Sequence, residues 1–214
     1  MKSEDSKTNP WLSIPASDYE GHMSSPLVMQ LGFLNGLFEK LMKRHRPENL
    51  AVAGCTTGNG FEHIDFMITK RVVAIDINPE YLEIVRERYD RGGDMIETIC
   101  ADVNACGLEP GSMDLVHCAL LFEYVDPAVT LATVTRWLKP SGLVSVVLQL
   151  EDEMHGKVTE TTFTSLKRLE TIMRLVDPRE FGEITAGNGL RPEWKERVSL
   201  PNGKRFFVAV YRSA

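Results

Sequence analysis

The chain has no apolar run long enough to cross a bilayer: the densest, Leu143 to Leu148, falls far short of the roughly 20 residues a spanning helix needs. The first twenty residues mix charges, prolines and serines without an apolar stretch, so neither a secretory leader nor a membrane anchor is expected there. Cysteine is scarce. Cys55, Cys100, Cys106 and Cys118 are the four present, and no two form a CxxC pair. The five histidines make no HxxxH or CxxH set, so no metal site is expected and the thiols are read as reduced and unbridged. Positive charge is also in deficit, with a net charge of −6. That balance argues against a nucleic-acid partner, because such affinity comes largely from neutralising phosphates. Together these absences lead to the expectation of neither leader, membrane anchor, metal site nor nucleic-acid partner.

What is present is an ordinary globular chain. Its 214 residues, 43% of them hydrophobic, suffice for one domain with a sizeable core, and no internal repeat or low-complexity segment interrupts it. Residues 1–46 read as a lead-in and lid: a polar, frayed start, then a segment with Trp11, Tyr19, His22 and Met23. A helix follows from about Ser25 to Arg46, with Leu27, Leu31, Leu34, Phe38 and Leu41 at spacings of three and four. The basic cluster Lys40, Lys43, Arg44, His45 and Arg46, just before Pro47, suits a helix C-terminus, where cations complement the macrodipole. Residues 47–150 alternate strands and helices. Residues 151–214 begin with the acidic stretch EDEMHGK and continue with a helix from about Thr164 to Val176. A short helix starts at Pro178, and a hairpin, Glu196 to Leu200 and Arg205 to Tyr211, is turned by Asn202 and Gly203.

The segment LAVAGCTTGNG, Leu50 to Gly60, is an apolar run that breaks into glycines. Glycines between a strand and a helix allow positive φ and let a ligand lie against the backbone. The next apolar run, RVVAID, has the Val and Ile content of a buried parallel strand and ends on Asp76. A carboxylate there can accept both hydrogen bonds of a ribose diol. Asn78, Pro79 and Glu80 then supply a cap, a first-turn proline and a first-turn acid for a helix with Tyr81, Leu82, Val85 and Tyr89 inward. A dinucleotide fingerprint GxGxxG fails in both frames: from Gly54 it would need glycines at Thr56 and Asn59, and from Gly58 a small residue at His63.

Gly54, Cys55, Thr57 and Gly58 instead resemble the GCGTG motif of the class I methyltransferases that use S-adenosylmethionine. The resemblance continues through VVAIDINPEYLEIVRERY, CADVN, SMDLVHCALLFEYVD and LKPSGLVSVVLQ. It implies an α/β, Rossmann-like, seven-stranded and mostly parallel sheet of order 3214576. Strand seven would be antiparallel, with helices on both faces and an N-terminal helical lid. It also implies cofactor contacts at Gly54, Cys55, Thr56 and Gly58, at Asp76 and Ile77, at Asp102 and Val103, and at Ala119. Acceptor contacts fall beyond the ends of strands four and five, at Phe122, Tyr124 and Gln149, with His155 in the same neighbourhood. Tyr19 and His22 are candidates to orient the methionine end of the cofactor or to take a proton.

Two departures stand out. Val52 takes the place of the family's acid two residues before the first glycine, and Thr56 takes the place of the middle glycine. A β-branched residue at positive φ costs about 1–2 kcal/mol, so this loop either avoids that conformation or holds strain. These departures keep a non-catalytic cofactor-binding protein open as an alternative. An aminopropyltransferase of the polyamine-synthase type, using acids such as Glu123 and Asp126, is the other. His117, within DLVHCAL, reads as a packed core residue, and His63 as a structural residue on the first turns of a helix.

Overall fold

The computed structural model describes residues 9–89, 95–151 and 156–214, and His155 and the polar first eight residues lie outside them. After a single 3₁₀ turn at Pro10–Ser13 come α1 (Ala16–Ser24) and α2 (Gln30–His45). The core follows as β1 (Asn49–Ala53), β2 (Arg71–Asp76), α3 (Pro79–Tyr89), β3 (Ile96–Cys100), β4 (Met113–Ala119), α4 (Pro127–Trp137) and β5 (Leu138–Gln149). The chain ends in α5 (Pro178–Gly187), β6 (Leu190–Ser199) and β7 (Arg205–Ser213).

All seven strands form one sheet of order β3-β2-β1-β4-β5-β7-β6. The first five are parallel, and β7 runs antiparallel to both β5 and β6. Alternation along the strands divides the core in two. On β1, Leu50 and Val52 face the layer built from α1, α2, α3 and Leu166 to Met173, while Ala51 and Ala53 face α4 and α5. Val52 is 6% exposed and packs as a core residue. His117 is buried with Nδ1 3.1 Å from the Ser145 hydroxyl and its ring edge-on to Phe38, as expected of a packed histidine. Among the described residues no helix is long and apolar enough to cross a membrane, and no group of side chains could hold a metal ion.

Three helical expectations need correction. The helix expected from Ser25 begins only at Gln30, after the separate α1 has ended at Ser24, because Pro26 disfavours the helical conformation of the residue before it. Ser25 is accordingly extended in ψ, at 140°, and Met29 turns through φ 56° before α2 begins. Leu27, expected on the inward stripe, is 56% exposed. The glycine loop after β1 leads only to a 3₁₀ turn, Phe61–His63, and the chain reaches β2 without an α-helix. The sheet face beside it is covered by α2 instead: Phe38 stacks on Phe61 with centroids 6.0 Å apart. His63, expected on a helix, sits in that turn with Nε2 2.9 Å from the Asn35 side-chain oxygen. The segment expected to be helical to Val176 is a 3₁₀ helix, Thr164–Thr171. The helix at Pro178 is present, with Asp177 accepting from the Arg179 and Glu180 amides.

Candidate functional site

The carboxyl ends of β1, β2, β4 and β5 open into one cavity under the N-terminal segment, where open α/β sheets bind ligands. Strand β2 delivers Asp76, which is 7% exposed. Its Oδ2 accepts the Thr56 amide at 2.9 Å and its Oδ1 the Asn78 amide at 2.9 Å. One donor on each oxygen fixes the carboxylate's orientation and leaves each oxygen further acceptor capacity. Burial pushes the Asp76 carboxyl above its usual range, against the lowering effect of the backbone N–H groups of Asn78, Thr56 and Ile77. Ile77, Asp102 and Val103 complete this end of the cavity.

The glycine loop has divided duties. Gly54, at φ 68°, faces the cavity, and its amide reaches the Ile75 carbonyl at 2.9 Å. Gly58, at φ 79°, lies outside the cavity: a Cβ there would come within 2.9 Å of the Tyr89 ring, so the glycine serves close packing against α3. Cys55 also lies outside it, buried against the core. Thr56 adopts φ 47°, so of the two outcomes the sequence left open the loop holds strain, about 1–2 kcal/mol. Its hydroxyl is 2.8 Å from the Cys55 carbonyl and 3.1 Å from the Tyr19 hydroxyl. Leu120, after β4, lines the cavity at φ 52°.

Residues 10–24 form the roof. The Asn78 amide group donates to the Trp11 carbonyl at 3.0 Å and the Tyr81 hydroxyl to the Ile14 carbonyl at 2.9 Å, tying the segment to α3. Trp11 packs edge-on against Tyr124 and Tyr19, with centroids 5.1 and 6.1 Å apart. On the other side, the Ser165 hydroxyl donates to Asp18 at 2.6 Å, and His22 Nδ1 lies 3.0 Å from the Thr161 hydroxyl. Burial raises Tyr19 to about 12, partly offset by its hydrogen bond with Thr56. Burial, aided by the charge on Lys204, lowers His22 to about 4. At neutral pH Tyr19 is therefore a phenol and His22 an uncharged imidazole.

The cavity gathers Tyr19, His22, Gly54, Thr56, Asp76, Ile77, Asp102, Val103, Ala119, Tyr124 and Gln149. Phe122, expected on the acceptor side, is turned to the opposite sheet face, 1% exposed with its ring 4.8 Å from Phe181; the loop after β4 presents Tyr124 to the cavity and sends Phe122 beneath it. Glu123 is buried too, with Oε1 accepting the Gln149 amide at 2.6 Å, and Asp126 caps α4. Sequence reasoning missed Gln30, Lys157 and Lys204, which line the β5 end. Only the proximity of Lys157 to the end of β5 and of Lys204 to the hairpin turn could have signalled them.

Residues 51–146 match a family model described as a methyltransferase domain. Among curated proteins, the chain is 28% identical over 100 residues to an uncharacterized methyltransferase-like protein of Schizosaccharomyces pombe, covering 47% of this chain and 38% of that one. It is 29% identical over 130 residues to an uncharacterized methyltransferase of Mycobacterium bovis, covering 61% and 43%. The alignments thus span less than half the length of those relatives. Among solved structures, a geranyl diphosphate methyltransferase in complex with SAM superposes with a TM-score of 0.68 at 14% identity, covering 91% of this chain and 95% of that one. Residues 51–146, less than half of the chain, are thus similar to a methyltransferase domain, and the chain shares the fold of the solved geranyl diphosphate methyltransferase.

Proposed function

We propose that this protein transfers a methyl group from S-adenosylmethionine to a small-molecule acceptor, as a single cytoplasmic domain whose residues 10–24 roof the site. The observation that carries this reading is Asp76, a buried carboxylate at the end of β2, oriented by two backbone amides beside a glycine loop open to the cavity. Bound there, the sulfonium of the cofactor supplies an already activated methyl group.

The chain's residues would do the rest by holding and shielding. Asp76 receives the ribose hydroxyls, Ile77 and Val103 flank the adenine, and Asp102 accepts from its amino group. Gly54, Thr56 and Ala119 border the cofactor's other end, while Cys55 and Gly58 shape the loop from behind. The roof excludes water, which strengthens every electrostatic contact beneath it. Tyr19 and His22 suit positioning: a phenol near 12 and an imidazole near 4 are both poor proton acceptors at neutral pH. Tyr124 and Gln149 border the acceptor. The negative net charge and the cavity's place under the N-terminal segment favour a small molecule over a nucleic acid. Neither Glu123 nor Asp126 lines the cavity, so the acids an aminopropyltransferase would need are engaged elsewhere.

Incubation with methyl-labelled S-adenosylmethionine and a library of phenols, amines, thiols and acids tests the reading; labelled product together with S-adenosylhomocysteine is expected. Binding of S-adenosylhomocysteine without product across the library would favour the second reading, a cofactor-binding protein without transfer. The observation favouring that reading is Val52, core-packed where the family carries an acid.

A further inference from the structure

The cavity changes character along its length. The cavity residues that would hold the cofactor, from Gly54 through Asp76 to Ala119, all fall within residues 51–146, the part of the chain similar to a methyltransferase domain. A second wall comes from outside that part. Met23 is supplied by α1, Leu34 by α2, Val158 by the segment after β5, Leu166 and Leu169 by the 3₁₀ helix Thr164–Thr171, and Met173 by the residues just beyond it. All six are buried and belong to one apolar cluster. Leu166 and Leu169 meet the cavity together because side chains three residues apart eclipse one another on a 3₁₀ helix. The Met173 amide, reaching the Leu169 carbonyl at 2.8 Å, carries that face onward.

The amide and charged groups beside this wall are engaged within the protein. The Gln149 side chain accepts from the Gln30 amide group at 3.3 Å and donates to the Lys157 carbonyl at 2.9 Å. The Lys157 ammonium donates to the Met173 carbonyl at 3.2 Å, and Lys204, 1% exposed, has its own partner in the protein. His22 lies against the Thr161 hydroxyl and is kept uncharged at neutral pH by burial and the charge on Lys204. What the wall offers an occupant is therefore hydrocarbon. The roof also closes onto it: the Ser165 hydroxyl donates to Asp18 at 2.6 Å, and the Phe163 ring lies where a Cβ at Gly21 would come within 2.2 Å. Only a glycine in α1 allows that approach.

We propose that the acceptor is an uncharged hydrophobic molecule, its hydrocarbon body lodged against Met23, Leu34, Val158, Leu166, Leu169 and Met173 and its nucleophilic atom directed toward the glycine loop. This rests on the methyltransferase reading of the same cavity and deepens it by naming the substrate class. Each methylene moved from water into such a site tightens binding about fourfold. A charged group placed there has to leave water without a partner, which weakens binding.

Calorimetry on the full chain saturated with S-adenosylhomocysteine, titrated with straight-chain primary alcohols from butyl to octyl and with the carboxylates and amines of matching length, tests this. Affinity for the alcohols is expected to rise about fourfold per methylene until the subsite is full. The charged series are expected to bind at least about tenfold more weakly at each length. Val158→Thr exchanges a methyl for a hydroxyl on the wall. It is expected to weaken the longer alcohols at least about fivefold while leaving the shortest one and S-adenosylhomocysteine within about twofold; should the variant not fold, the parent series alone decides. Affinities independent of chain length, a charged series that binds as tightly as the alcohols, or a folded Val158→Thr protein that binds the longer alcohols as the parent does would overturn this inference. With S-adenosylhomocysteine still bound, each of these results leaves the methyltransferase reading standing. The inference would fall equally if Val158→Thr weakened S-adenosylhomocysteine as much as the alcohols, since the wall would then serve the cofactor. No binding of S-adenosylhomocysteine by the parent would overturn both.

Discussion

The hydroxyls of Thr56 and Tyr19 lie 3.1 Å apart, joining the strained glycine loop to the helix that roofs the cavity. Because the Thr56 amide also donates to Asp76, one residue couples the roof to the carboxylate at the end of β2. Tyr19→Phe removes the hydroxyl and leaves the ring packed on Trp11 and Tyr81. A stability loss of about 1 kcal/mol is expected, near 2–4 °C in Tm for a chain of this size, together with weaker S-adenosylhomocysteine binding by calorimetry. Unchanged affinity would mean that the roof and the loop act independently.

Thr56 itself carries opposing contributions. Thr56→Gly releases about 1–2 kcal/mol of left-handed strain but loses the hydroxyl's hydrogen bonds and gains unfolded-chain freedom, each worth about 1 kcal/mol. Urea unfolding is expected within about 1 kcal/mol of the parent, whereas Thr56→Val keeps the strain, loses the hydroxyl and is the less stable of the two. A Gly variant clearly less stable than the Val variant would show that the φ of 47° costs nothing.

Gly54 and Gly58 separate function from packing. Gly58→Ala must accommodate a Cβ 2.9 Å from the Tyr89 ring at φ 79°, so it is expected to lose about 2 kcal/mol or more. Gly54→Ala meets only the Leu121 side chain at 3.2 Å, but on the cavity wall. A smaller loss of stability and a larger loss of S-adenosylhomocysteine affinity are expected for it, read by urea melts and calorimetry on both variants.

Glu123 governs one limb of the pH dependence. Burial raises its carboxyl from 4.5 to about 7, against the lowering effect of the Gln149 amide. The folded state therefore holds a proton that the unfolded chain has released between those values, and stability falls as pH rises from about 4.5 through 7. A shift of that size corresponds to a cost on the order of 3 kcal/mol above pH 7. His22 and His117, each lowered to about 4 by burial, act oppositely: their contribution is present above 6.5 and lost as pH falls toward 4. Glu123→Gln is expected to be more stable relative to the parent at pH 8 than at pH 5, measured by urea unfolding at both. An equal difference at the two pH values would mean that Glu123 is ionised throughout.

The sheet was legible because its signals are local. The runs Arg71–Asp76 and Leu143–Leu148 need only their own composition to read as buried strands, and Asp76 stands at a strand end whatever surrounds it. Asn202 and Gly203 likewise mark their hairpin by turn chemistry alone. What escaped depends on partners distant in the chain. The missing helix after the glycine loop is replaced by α2, whose Phe38 fills the space beside Phe61. Phe122 and Tyr124 are equally apolar neighbours, and only the packing of Phe181 decides which of them turns from the cavity. Lys157 and Lys204 lie in polar stretches where lysine is ordinary on a surface, and it is their place beside Gln149 that brings them to the site.

The central claim is that Asp76 holds the ribose of S-adenosylmethionine or its product. Its most direct test is a calorimetric titration of S-adenosylhomocysteine into the parent and Asp76→Ala proteins, with NAD as control. The account predicts saturable binding by the parent, accompanied by about 2.7 kcal/mol of stabilisation at a hundredfold excess over Kd, loss of most of that affinity in Asp76→Ala, and no heat with NAD. Binding that survives Asp76→Ala undiminished, or a parent that binds NAD and not S-adenosylhomocysteine, would contradict it.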